Sequence, residues 1–235
     1  MSYDLSSRSR LKVQDLPRFP EDTLFHRVAR VVCEASCLPR KELFEAWEVA
    51  RRARRKMRGG RVVDLACGHG LIAHLMLILD DTSPSALAVD RTLPKSAHRL
   101  AEVLVRTWPR LAGRVQLVEG DLESVPLEAG DLVVSAHACG PLTDTVLSRA
   151  LVARARVAVL PCCHATATGD QGGVGGWLDP ALAMDVTRAA RLRAAGYRVH
   201  TQAIPVEITP KNRLLLGEPE ERERPVVEEP LAQLP

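Results

Sequence analysis

Residues Val62 to Leu71 read VVDLACGHGL. An apolar run carries one acid, Asp64, breaks at Gly68 and Gly70, and turns apolar again. Glycine permits positive φ and lets backbone approach a ligand closely. In an open parallel sheet, ligands bind beyond the carboxyl ends of the strands. The stretch therefore predicts a strand, a ligand-cradling turn and a helix.

Working outward, strand and helix patterns alternate. Strands are expected at Arg61–Ala66, Ala86–Asp90, Arg114–Glu119, Asp131–His137 and Arg156–Leu160, with helices near 71–80, 94–107, 141–152 and 180–195. YRVHTQAIPVEI and NRLLLGEP then read as two successive strands. Serial strand–helix units imply a mostly parallel sheet covered on both faces, here closed by an antiparallel hairpin. The expected fold class is α/β, Rossmann-like and seven-stranded. Ahead of it, residues 1–20 read as an extended arm. Asp22 or Thr23 can cap a helix to about Cys37, and Pro39 suits the first turn of a second helix ended by Gly59-Gly60. The expected organisation is an arm and helical cap over 1–58, a catalytic domain over 59–217 and a disordered acidic tail over 218–235.

Composition is that of a globular protein, 46% hydrophobic and 26% charged. No apolar run reaches the roughly 20 residues of a membrane-spanning helix, and the first residues lack a secretory signal's apolar core. A cytoplasmic protein with reduced cysteines and no membrane partner is expected. Net charge is +3 with an acidic tail, leaving the rest of the chain mildly basic, a weak pointer to nucleic acid. Oligomeric state is not legible.

Two ligands compete for the glycine turn. GHGLIA satisfies the dinucleotide pattern G-x-G-x-x-[GA] through Gly68, Gly70 and Ala73, which keeps an NAD-dependent oxidoreductase as an alternative. No Tyr-x-x-x-Lys pair supports it, since Thr201 stands where Tyr197 would need its lysine. DLACGHG resembles the first motif of class I S-adenosylmethionine (SAM)-dependent methyltransferases. The resemblance places Asp64, Ala66, Gly68 and Gly70 at the cofactor, where a carboxylate suits a ligand carrying an ammonium and a sulfonium and would repel a pyrophosphate. It further implies that Asp90, ending the second strand, holds the ribose hydroxyls, and that Asp121 with Leu122, after the third strand, meets the adenine. A non-catalytic SAM- or RNA-binding module is the other alternative.

HACGPLTD (His137–Asp144), LPCCH (Leu160–His164) and TPKNRLLLG (Thr209–Gly217) narrow the resemblance to a methyltransferase subgroup. It includes the methyltransferase domain of the glutathione-S-transferase-C-terminal-domain-containing protein and, more distantly, a tRNA 2′-O-methyltransferase. This likeness spans roughly Arg61 to Gly217. It implies that His137, Cys139, Cys162 and His164, the candidate catalytic residues, converge on the substrate side, with Cys163, Cys67 and His69 near them. A neutral histidine can accept the nucleophile's proton. Cys139 and Cys162 occupy places similar to the cysteines of RNA cytosine-C5 methyltransferases, without that family's Pro-Cys. A zinc set of Cys162 and His164, sharing one side of an extended chain and joined by Cys139 or His137, is a further reading; no metal is assigned. Asp144 and Lys211 are a candidate charged pair.

Two segments are candidates for substrate contact. RRARRKMR (Arg51–Arg58) offers cations to phosphate, or is a solvated helix end. ATATGDQGGVGGWLDP (Ala165–Pro180) suggests a glycine-rich lid bearing Trp177. The expected activity is methyl transfer from SAM, with RNA the favoured acceptor.

Overall fold

A computed structural model describes residues 4–220. The strands are β1 (Val62–Leu65), β2 (Ala86–Asp90), β3 (Val115–Glu119), β4 (Leu132–Ser135), β5 (Arg156–Val159), β6 (Tyr197–Ala203) and β7 (Arg213–Pro219). The helices are α1 (Leu24–Ala35), α2 (Arg40–Lys56), α3 (Leu71–Leu79), α4 (Lys95–Thr107), α5 (Leu142–Ala153) and α6 (Pro180–Ala194). One seven-stranded sheet runs β3-β2-β1-β4-β5-β7-β6, with β7 antiparallel to both neighbours and every other pair parallel. Strand order reverses at β1, which opens a crevice between the ends of β1, β2 and β4. This is the expected Rossmann-like fold with its closing hairpin.

Side-chain alternation along the strands builds two cores. Val62, Ala86, Ala88, Leu132 and Val134 pack beneath residues of α1 to α4, whereas Val63, Leu65, Val89, Val133 and Val157 pack against α5 and α6. Val62, Val63, Asp64 and Leu65 are all buried, so Asp64 sits inside the sheet.

The described residues 4–58 pack onto the helices of the sheet. Leu11 and Phe19 are buried, Val13–Arg18 forms a 3-10 turn, and Arg10 bridges to Pro39. The carboxylate of Asp15 closes that turn by accepting from the Lys12 N–H at 3.0 Å. Leu11, Phe19 and the buried faces of α1 and α2 belong to the same core as α3 and α4. The segment is therefore a layer of the fold, because its scattered apolar residues find a partner there. Thr23 is the cap of α1, accepting from the His26 N–H at 3.3 Å.

At the other end β7 passes the expected boundary at Gly217. Glu218 pairs with Arg198 and Pro219 with Tyr197. The rest of the expected acidic tail, from 221 onward, lies outside the described residues. β6 stops at Ala203, short of the expected Ile208, since Pro205 lacks the N–H a ladder needs. No helix among the described residues is long and apolar enough to cross a membrane.

Candidate active site

The turn after β1 alternates in backbone sign. Ala66, Gly68 and Gly70 have φ of 58°, 55° and 70°, so three of five consecutive residues occupy the left-handed region. A Cβ on Gly70 would meet the Leu117 side chain at 2.7 Å, whereas one on Gly68 would meet nothing within 4 Å. Gly70 is thus favoured by its positive φ and by the nearness of Leu117, and Gly68 presents bare backbone to open space. His74, fully buried on α3, donates from Nδ1 to the Gly70 carbonyl at 2.7 Å and fixes the far end of the turn. Burial holds this imidazole down to about 4, against the Gly70 carbonyl, so it is neutral at pH 7. The sequence reading missed His74; an apolar helix bearing one histidine a turn past the glycine was the available signal.

Two acids brace the same turn. Asp90 accepts from the Gly68 N–H at 2.8 Å, and Asp64 from the Ala73 N–H at 3.2 Å. The second carboxylate oxygen of Asp64, Oδ1, is buried and has no hydrogen-bond partner among the described residues. Burial pushes the Asp64 carboxyl up to about 8, against the Ala73 N–H and with a smaller push from Asp90. An orphaned carboxylate oxygen beside stripped backbone fits a cationic ligand, which would supply the missing partner and restore the charged form.

Above the turn lies a cleft of about 220 Å³, lined by Ala66, Asp90, Asp121, Leu122, His137 and Leu142 among others. Five residues predicted for the site, from four separate segments, meet there. Asp121 also caps a 3-10 turn, accepting from the Glu123 N–H at 3.0 Å. A larger cavity of about 450 Å³ lies between α6 and the β6–β7 hairpin, but it contains none of the predicted site residues. The meeting of Asp90, Asp121 and His137, rather than size, marks the smaller cleft as the candidate site; Asp64, Gly68 and Gly70 lie in the strand and turn beneath it and do not line it.

His137 borders a second, smaller hollow shared with Glu42, Cys67 and His69. Glu42, half-buried on α2, has its carboxyl raised by burial and lowered by the nearby His137, which places the two in electrostatic reach. Sequence reading of α2 followed its apolar residues and passed over Glu42. His69 is tied to Ser96 Oγ at 3.0 Å.

The remaining predicted residues separate into two groups. Cys139 and Cys162 do converge, with Sγ atoms 3.3 Å apart, and Cys163 joins them. Burial raises both the Cys139 and Cys162 thiols above their ordinary value, so they are protonated near neutral pH. His164 is not part of this cluster. Its side chain is 2% exposed and its Nε2 lies 2.8 Å from Asp185 Oδ1 on α6. Asp185 also receives Arg188 at 3.0 Å and Arg213 at 2.7 Å, and Arg188 forks onto both oxygens of Asp144 at 3.0 and 2.8 Å. This network ties the loop after β5 to α5, α6 and β7. Asp144 is engaged by Arg188, and no ion pair joins it to Lys211 among the described residues.

Of the six cations in the basic run, Arg54 is buried and Arg51 and Arg52 are half-buried. Arg51 and Arg52 bind Glu48, and Arg54 is buried against Asp80, Ser83 and the Met76 carbonyl. Arg55, Lys56 and Arg58 are exposed, but they precede the amino end of β1, opposite the crevice. Trp177 is 88% exposed on its glycine-rich loop.

Residues 41–169, more than half of the chain, match a family model described as a methyltransferase domain. No curated protein matches the sequence. Among solved structures, magnesium protoporphyrin IX methyltransferase of Synechocystis PCC 6803, with bound SAH, is similar with a TM-score of 0.52 at 13% identity. The match covers 88% of this chain and 94% of that one. Precorrin-6y C5,15-methyltransferase from Geobacter metallireducens GS-15 gives a TM-score of 0.49 at 12% identity, over 74% of this chain and 87% of that one. The first of these likenesses agrees with the fold derived above. On the family match, the chain belongs to the methyltransferase domain family, of class I fold, whose cofactor is S-adenosylmethionine.

Proposed function

We propose that the chain is an enzyme that transfers a methyl group from SAM to an acceptor entering past His137. The observation that carries this reading is the pairing of Asp64 Oδ1, buried and unpartnered, with the open backbone at Gly68. In this reading Asp64 and the 66–70 turn hold the methionine end of the cofactor. Asp90 takes the ribose hydroxyls, and Asp121 with Leu122 takes the adenine. SAM supplies an electrophilic methyl on a sulfonium. The protein's task is then to position the nucleophile in line with it and remove the nucleophile's proton. His137, at the cleft and backed by Glu42, is the group we assign to that proton. Cys139 and Cys162, held as thiols, are assigned no covalent step, and His164 is assigned to structure rather than catalysis.

RNA is the acceptor class favoured by the sequence resemblance. The basic run offers it no contact at the cleft, so that preference rests on resemblance alone; a cytoplasmic location rests on the sequence expectation of no secretory signal. Incubation with methyl-labelled SAM and separate fractions of cellular RNA, protein and small molecules tests both parts. Label in one fraction that depends on His137 supports the enzyme and names its acceptor class. Label in none, from protein that binds SAM, would favour the non-catalytic module.

A further inference from the structure

The loops after β4 and β5 bring three sulfurs together. Cys139 Sγ lies 3.3 Å from Cys162 Sγ, Cys162 Sγ lies 3.8 Å from Cys163 Sγ, and all three fall within 4.8 Å of one another. Adjacent residues of an extended strand point to opposite faces, which would set Cys162 against Cys163. β5, however, ends at Val159, and beyond it the chain is irregular, so that alternation no longer governs the pair. The two loops are joined by the Gly140 N–H donating to the Cys163 carbonyl at 3.1 Å. The Asp185–Arg188 network anchors the next residue, His164. The thiols thus stand on braced backbone from both sides.

We propose that Cys139, Cys162 and Cys163 form a binding site for a thiophilic d10 cation, Zn²⁺, with three thiolate ligands and an open fourth position. Tetrahedral zinc with Zn–S bonds of about 2.3 Å sets its sulfurs ~3.8 Å apart. The separations of 3.3 and 3.8 Å lie within about 0.5 Å of that value and the third is within 4.8 Å, so small side-chain rotations complete the set. Cys139 and Cys163 are exposed, which leaves the fourth position reachable by solvent or a ligand. The other three cysteines, Cys33, Cys37 and Cys67, are buried and outside the cluster, so no second thiol site competes among the described residues. Ligands from two neighbouring strand ends would also clamp the β4 and β5 loops to each other. This inference does not depend on the assignment of SAM or of an acceptor.

The test is titration of the reduced full-length protein with Co²⁺, the spectroscopic stand-in for Zn²⁺. The expected result is one ion per chain, with a thiolate-to-cobalt charge-transfer band in the near ultraviolet that Zn²⁺ abolishes by displacement. Cys139→Ser and Cys163→Ser, both at exposed positions, are each expected to weaken uptake at least about tenfold. Cys33→Ser should leave the band intact. A reduced, folded protein that shows no such band would overturn the proposal. So would a band that persists in the Cys139→Ser/Cys163→Ser double variant, or a Cys139–Cys162 disulfide whose reduction yields thiols that still refuse cobalt. SAH binding, followed in the same samples, separates failure of the cofactor assignment from failure of the metal site.

Discussion

Asp90, the last residue of β2, accepts a hydrogen bond from the backbone N–H of Gly68, in the turn after β1, at 2.8 Å. One carboxylate thus holds the glycine turn in shape and offers its other oxygen to the cleft. Asp90→Ala removes both roles. Charge-assisted hydrogen bonds contribute about 1.5–3 kcal/mol each, so cofactor affinity should fall at least about tenfold. Asp90→Asn retains an acceptor for Gly68 and should lose less. Equal losses in the two variants, measured by calorimetry, would show that the charge rather than the turn is what matters.

The two glycines should fail differently. Gly70→Ala forces a Cβ to 2.7 Å from Leu117 at positive φ and should cost about 1–3 kcal/mol of stability. Gly68→Ala meets no neighbour, so its cost is limited to about 1 kcal/mol of backbone strain, while cofactor binding is lost to the methyl in the open space. Ala66→Gly relieves a non-glycine residue at φ 58° and should stabilise by up to about 1 kcal/mol. Denaturant unfolding beside ligand titration distinguishes the three.

Stability should respond to pH through two buried groups of opposite sign. His74 has its folded value lowered from 6.5 to about 4, so the unfolded chain binds the extra proton between those values. Its contribution, about 3 kcal/mol, is complete above pH 6.5 and is lost as pH falls towards 4. Asp64 is raised from 3.8 to about 8, so its contribution is complete below pH 3.8 and is lost as pH rises through 8. Asp64→Asn should therefore raise the Tm of the cofactor-free protein at pH 8 while weakening its hold on SAM. A Tm unchanged or lowered at pH 8 would contradict the buried-carboxyl account.

Arg188 is 2% exposed and bridges Asp144 to Asp185. Arg188→Met removes the fork on Asp144 and one of three partners of Asp185, which keeps Arg213 and His164, and should cost about 1–3 kcal/mol, seen as a lower urea midpoint. Affinity for the cofactor should change little, because neither aspartate borders the proposed cofactor cleft.

Much of this was legible in sequence. The period-two and helical patterns, the punctuation by Gly68 and Gly70, and acids at strand ends carry the sheet and its crevice. β4 and β5 came out shorter than expected because burial continues past the ladder: Ala136 and Leu160 are buried beyond the last paired residues, Ser135 and Val159. The packing of Leu11 and Phe19 was not legible, since isolated apolar residues in a polar stretch show no period. Nor was the His164–Asp185 contact, which depends on where α6 lies across the sheet. The convergence of Cys162 with Cys163 was hidden for a local reason, the end of the strand three residues before the pair.

The central claim is the cofactor cleft. Its most direct test is calorimetric titration of the purified chain and of Asp90→Ala with S-adenosylhomocysteine, with NAD as the control ligand. The account predicts one S-adenosylhomocysteine bound per wild-type chain, much weaker binding to the folded variant, and no heat from NAD. A folded wild-type protein that ignores S-adenosylhomocysteine, or that takes NAD in its place, would contradict it.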